Sequence, residues 1–220
     1  MSTYYPIYLD LRGRRCVVVG GGTVAARKVE GLLECGAQVT VVAPVLGPVL
    51  KELLQAGRIT AKLRPYAEGD LAGALLAIAA TDEPAVNAEI AAEARARGVL
   101  LNAADDPPRC DFILPAVLRR GDLQIAISTG GRSPALARWV REDLERRLPA
   151  EYGELLALVA ELRAELRREG AEVPAERWQE AVDANVLSRL AAGDRVGARA
   201  YLRASLLLEP VVIPQTVSEA

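Results

Sequence analysis

Residues 15–28 read RCVVVGGGTVAARK: an apolar run, Cys16–Val19, then three glycines, then a segment of helical composition. Gly20, Gly22 and Ala25 keep a G-x-G-x-x-A spacing across that junction. Gly20 permits a tight turn out of a strand, Gly22 lets backbone approach a pyrophosphate, and the small Ala25 lets helix and strand pack closely. The first amides of the helix, with its positive dipole end, then face phosphate. A glycine pattern alone also fits an ordinary strand-to-helix turn. Here strand and helix lie where dinucleotide binding needs them, so Gly20, Gly22, Thr23, Val24 and Ala25 are expected to bind the cofactor.

The pattern then repeats. Residues 24–35 read as helix ended by Gly36, Gln38–Ala43 as a second strand stopped by Pro44, and 46–56 as helix. Arg58–Leu63 alternates like an exposed strand, and Leu75–Ala80 is a continuous apolar run, as buried parallel strands are. Pro84–Arg97 is a helix with Pro in its first turn and Gly98 beyond its end, and Val99–Ala103 is a further strand. Strands alternating with helices predict an α/β fold, a Rossmann-type doubly wound parallel sheet over residues 1–113. Ligands of such sheets sit beyond the carboxyl ends of the strands, which puts Thr81, Asp82, Asn102, Ala104 and Asp105 on the ligand edge. The usual acidic residue that ends the second strand and holds the ribose is missing; Ala43, Pro44 and Val45 stand there instead. No Arg stands there either, so the reading leans to NAD over NADP, with the ribose held by backbone or by another segment.

The second half changes character. Phe112–Arg119 and Leu123–Thr129 flank Arg120-Gly121-Asp122 and read as a β-hairpin. Ser133-Pro134 reads as an N-cap and first helical residue. Apolar stripes follow at Leu136/Val140/Leu144/Leu148, Leu155/Val159/Leu162/Leu166 and Trp178/Val182/Val186/Leu190, then a short helix at 195–207 and an irregular tail from Pro210. The expected division is a hairpin and helix for dimerisation and substrate at 114–149, and a helical domain at 150–220. Amphipathic stripes usually bury an intramolecular core. A subunit interface is the sharper reading, and the two are compatible.

Composition narrows the class. The formal charge of −2 argues against a nucleic-acid or membrane-surface partner. No apolar span is long enough for a membrane helix and the N-terminus lacks a secretory pattern, so a cytoplasmic enzyme is expected. The chain has 3 cysteines and no histidine. Cys16 and Cys35 fall where small buried hydrophobes fit better than disulfides, and a histidine base or histidine metal site is excluded.

Five ordered blocks carry a family resemblance: Tyr5-Pro6-Ile7-Tyr8 with Leu11, VVVGGGTVAARK at 17–28, LLAIAATD at 75–82, NAADDPPRCDFILPA at 102–116 and ISTGGRSPALARWVRE at 127–142. Together they resemble precorrin-2 dehydrogenase, the N-terminal half of fused sirohaem synthase, and the fungal bifunctional dehydrogenase–ferrochelatase. The resemblance implies oxidation of precorrin-2 to sirohydrochlorin with NAD as hydride acceptor, in sirohaem or cobalamin synthesis. It puts the family's important aspartate on Asp105, tied to proton removal and, in bifunctional members, to metal chelation, which makes Fe2+ a second substrate of such members. A carboxylate following a sheet strand suits proton acceptance as hydride leaves. Asp is also a common turn residue before a Pro pair, and Asp106 is the rival carboxylate. Asn102, Ser128, Thr129, Gly130 and Gly131 fall on the family's substrate cleft; the Gly-Gly loop offers backbone amides to a carboxylate, or is simply a capped turn. Arg132, with Arg119 and Arg138, is expected to meet the substrate's carboxylates.

The reading is therefore a homodimeric NAD-dependent precorrin-2 dehydrogenase. The alternatives are a bifunctional enzyme that also inserts Fe2+, and a nucleotide-sensing or tetrapyrrole-carrier module without turnover.

Overall fold

Cys16 and Val18 point to one side of a sheet, Val17 and Val19 to the other, and both sides are covered, which is why the run is apolar throughout rather than alternating. The computed structural model describes residues 4–104 and 106–207, and the chain divides into two units. The first comprises residues up to Leu114 with Gly130–Arg132. Its strands are β1 (Arg15–Val19), β2 (Gln38–Val42), β3 (Thr60–Lys62), β4 (Leu76–Ala79) and β5 (Leu100–Ala103). They form one parallel sheet in the order β3-β2-β1-β4-β5. Helices α1 (Thr23–Glu34) and α2 (Pro48–Gln55) pack through Ala25, Val29, Leu32 and Leu50 on the face of Cys16 and Val18. Helix α3 (Pro84–Arg97) packs through Ile90, Ala91 and Ala94 on the other. The doubly wound fold is thus as expected. Gly36 at φ 74° and Gly98 at φ 66° end α1 and α3 in the left-handed region.

The second unit comprises Pro115–Thr129 and the residues from Ser133 on. It holds an antiparallel hairpin, β6 (Ala116–Arg120) and β7 (Leu123–Ile127), followed by α4 (Pro134–Arg147), α5 (Glu151–Arg168), α6 (Ala175–Ala181), α7 (Ala184–Ala191) and α8 (Arg195–Leu207). Arg120 ties the hairpin to the end of α4: its Nε donates to the Leu148 carbonyl at 2.8 Å and its NH2 to the Glu145 carbonyl at 3.1 Å. Gly153 lets α5 start against the hairpin, because a Cβ there would lie 2.7 Å from the Arg120 carbonyl oxygen. Leu155, Leu158, Leu162 and Leu166 of α5 form a core with Ala181, Val186, Leu190, Ala198, Leu202 and Leu206. Ion pairs from Glu161 to Arg195 and from Glu165 to Arg199 and Arg203 flank it.

Two local expectations change. The first hairpin strand starts at Ala116, not Phe112, because the chain at 110–112 is used against β5. The stripe through Trp178 and Leu190 is two helices, not one: the Asp183 carboxylate accepts the amides of Asn185 and Val186 and starts a new helix. The α5 stripe is satisfied inside the unit, whereas α4 buries only Ala137 and leaves Leu136 50% and Trp139 60% exposed. The tail from Pro210 lies outside the described residues.

Candidate dinucleotide and substrate site

Three loops meet at the carboxyl edge of the first unit's sheet. The Gly20 amide donates to the Val42 carbonyl at 2.9 Å, Ala80 N to Val19 O at 2.7 Å, and Ala104 N to Ala79 O at 2.9 Å, so the ends of β1, β2, β4 and β5 are laced together. Gly20 takes φ 129°, and a Cβ there would overlap the Ala80 carbonyl. Gly22 differs: its backbone is ordinary, and nothing lies within 4 Å of where its Cβ would be. The fold itself therefore sets no demand for glycine at Gly22, and the space in front of it is open. Helix α1 starts at Thr23 with no side-chain cap and no acidic residue in its first turn. Its first amides therefore lack intrahelical partners and face anions favourably. Val24 is exposed beside them, while Ala25 is buried against the sheet. These residues fit a pyrophosphate.

Gly21 is a residue that the glycine spacing alone passes over. Its carbonyl accepts the Gly47 amide at 2.8 Å, and a Cβ on it would overlap the Val45 carbonyl. It joins the glycine loop to the loop 43–47, and the third consecutive glycine was its signal. At the end of β2, Ala43 is buried in the core, whereas Pro44 is exposed and Val45 is 71% exposed. Beyond β4, the Thr81 hydroxyl accepts the Glu83 amide at 3.1 Å and the Thr81 carbonyl accepts the Asn87 side-chain amide at 3.0 Å. Thr81 is thereby fixed at the start of α3, with Asp82 exposed next to it.

Asp105 lies outside the described residues, but both sides of it are held. Asn102 is buried and donates through Nδ2 to the Phe112 carbonyl at 2.9 Å. Cys110 Sγ accepts the Ala103 amide at 3.2 Å and lies 3.2 Å from Ala103 O and 3.4 Å from Asp106 O. Burial pushes the Cys110 thiol up, so it stays a neutral part of this clamp. Asp111 accepts the Leu101 amide at 2.9 Å, and Asp106 is paired with Arg109. Asn102 thus spends its amide on the turn, and Asp106 spends its charge on an arginine.

Ser128 and Thr129 end the hairpin segment of the second unit. The Thr129 hydroxyl accepts the Ser133 amide and donates to the Ser133 carbonyl, both at 3.1 Å, and Ser133 caps α4 through the Leu136 amide. Gly130 and Gly131 take φ 62° and 79°, and Arg132 is exposed after them; these three residues group with the first unit. Among the described residues no cluster of three or more His, Cys, Asp or Glu side chains could hold a metal ion.

Comparison with known proteins agrees with this architecture. A family model described as "Putative NAD(P)-binding" matches residues 7–116, and one described as "Sirohaem biosynthesis protein central" matches 120–147. The siroheme synthase of Nitrosococcus oceani is 41% identical over 205 residues, covering 92% of this chain and 44% of that protein. That of Azotobacter vinelandii is 40% identical with the same coverage. The chain thus spans less than half the length of these curated relatives. A solved structure described as "SirC, precorrin-2 dehydrogenase" is 32% identical with a TM-score of 0.75, covering 92% of this chain and 98% of that one. The first unit is a nicotinamide-dinucleotide-binding domain, and the chain belongs to the precorrin-2 dehydrogenase family of sirohaem biosynthesis proteins.

Proposed function

We propose that the chain oxidises precorrin-2 to sirohydrochlorin with NAD. The observation that carries the reading is the open cradle at Gly22 before an uncapped helix, laced to the ends of four parallel strands. NAD held there would supply the acceptor for the hydride that leaves precorrin-2. The amides of Thr23, Val24 and Ala25 hold its pyrophosphate. Ala43, Pro44 and Val45 border its adenosine ribose, and Thr81 and Asp82 its other half. Asp105 accepts the proton released as the hydride leaves; Asn102 and Cys110 hold the chain on either side of it. The amides of Gly130 and Gly131, with Ser128, Thr129 and Arg132, receive carboxylates of the substrate.

Residues 1–113 form the dinucleotide domain, 114–149 the substrate and dimerisation region and 150–220 a helical domain. The chain works as a cytoplasmic homodimer through the hairpin and α4, whose Leu136 and Trp139 the second unit leaves exposed. A single difference spectrum tests the activity. NADH formation with precorrin-2 supports the dehydrogenase; binding of both without NADH makes the chain a carrier.

A further inference from the structure

The dinucleotide reading leaves one question at the end of β2. In folds of this kind an acid there selects the free ribose 2′-hydroxyl, and a nearby Arg admits a 2′-phosphate. Within β2 and the residues after it, neither is present. The neighbouring strand changes that picture. The Ala43 amide donates to the Lys62 carbonyl at 3.2 Å, so the end of β3 and the two residues after it border the same corner. That stretch is Lys62-Leu63-Arg64, with two cations.

Both cations are committed. Lys62 Nζ donates to Asp70 Oδ1 at 2.6 Å. Arg64 holds the same carboxylate with two nitrogens, at 2.7 and 2.8 Å, and also donates to the Pro65 carbonyl. The Ala67 amide adds a fourth bond to Asp70 at 3.0 Å. The Asp70 side chain is 2% exposed, while Lys62 is 38% and Arg64 45% exposed. The acid is therefore the buried member and the cations are the reachable ones. We propose that Asp70 sets the preference for a dinucleotide with a free 2′-hydroxyl, by holding Lys62 and Arg64 away from the position a 2′-phosphate would take. The inference rests on dinucleotide binding at the glycine loop. Recruiting either cation to a 2′-phosphate would take from a buried carboxylate one of its two cations, a loss that a solvent-exposed pairing does not repay.

Calorimetry of the full chain with NAD and with NADP tests this. The wild type is expected to bind NADP at least about tenfold more weakly than NAD, roughly the worth of one lost charged pairing. Asp70→Asn should raise NADP affinity by about tenfold while moving NAD by less than about threefold. Adding Lys62→Met and Arg64→Met to it should erase the gain. Leu63→Arg keeps the Asp70 cluster intact and is independent of whether Asp70→Asn folds. It places an uncommitted cation at a 62% exposed position in the same corner and should raise affinity for NADP alone. A wild type that binds both dinucleotides equally, an Asp70→Asn gain shared by NAD, or no NADP gain in Leu63→Arg overturns the proposal and leaves the cofactor reading intact. A wild type that binds neither dinucleotide overturns that reading, and this proposal with it.

Discussion

Gly20 and Ala80 are in contact through backbone alone: the Gly20 α-carbon faces the Ala80 carbonyl so closely that no Cβ fits between them. Two residues on, Gly22 has nothing in that direction within 4 Å. The fold therefore requires the first glycine of the motif and leaves the second unconstrained, with open space in front of it.

Substitution should separate these demands. Gly20→Ala is expected to destabilise the chain by roughly 2–4 kcal/mol, from backbone overlap and a positive φ. Gly22→Val should melt within a few degrees of wild type and lose NAD binding. Thermal unfolding followed by calorimetric titration reads both; unchanged NAD affinity in a folded Gly22→Val variant removes this loop from the site.

Asp105→Asn should fold and bind NAD but form NADH about 10²–10⁴-fold more slowly, since an amide cannot accept the proton at neutral pH. Asp106→Asn should lose far less, because Arg109 already occupies that carboxylate. Steady-state NADH formation by both variants decides the assignment, and a larger loss at Asp106 reverses it.

Acid should weaken the first unit through Asp70 and Glu93. Burial works to raise both carboxyls, but hydrogen bonds overcome it: from Arg64 and Lys62 at Asp70, and from Tyr66, backbone amides and Arg97 at Glu93. Both are held below the usual carboxylate range. Folded values lower than unfolded ones give stability that is complete above the unfolded values of about 4 and is lost as pH falls below them. Urea unfolding from pH 7 to pH 3 should show that loss. Asp70→Asn should be less stable at pH 7 and show a shallower acid limb, with Glu93 supplying what remains.

The exposed α4 face predicts the assembly. Light scattering at micromolar concentration should give twice the 23.5 kDa chain mass, and Leu136→Glu with Trp139→Glu should return it to the monomer with its helix content unchanged. A wild-type monomer at that concentration sinks the dimer.

Much of the first unit was legible because its signals are local. Cys16–Val19 is apolar enough to be buried on both faces, Pro84 and Gly98 bracket α3 to the residue, and Ser133-Pro134 starts α4. The break between α6 and α7 was less visible, because Asp183 in an apolar repeat resembles a solvent-facing helical residue until its carboxylate is seen capping Asn185 and Val186. The start of β6 was hidden for another reason: Phe112 belongs to an apolar run, but its carbonyl is taken by Asn102 ten residues earlier.

By itself the sequence determined the alternation of strands and helices, the glycine turn and the caps, since each follows from the conformational limits and hydrogen-bonding reach of residues within one or two turns of chain. Tertiary structure alone decided which charged side chains stand beside the end of β2. Lys62 comes there through the pairing of β3 alongside it, with Arg64 two residues on and Asp70 bonded to both, and nothing in the local pattern of Ala43-Pro44-Val45 encodes that neighbour. Strand order is a property of the whole sheet's burial, so the charges at a strand's end are set by contacts distant in sequence.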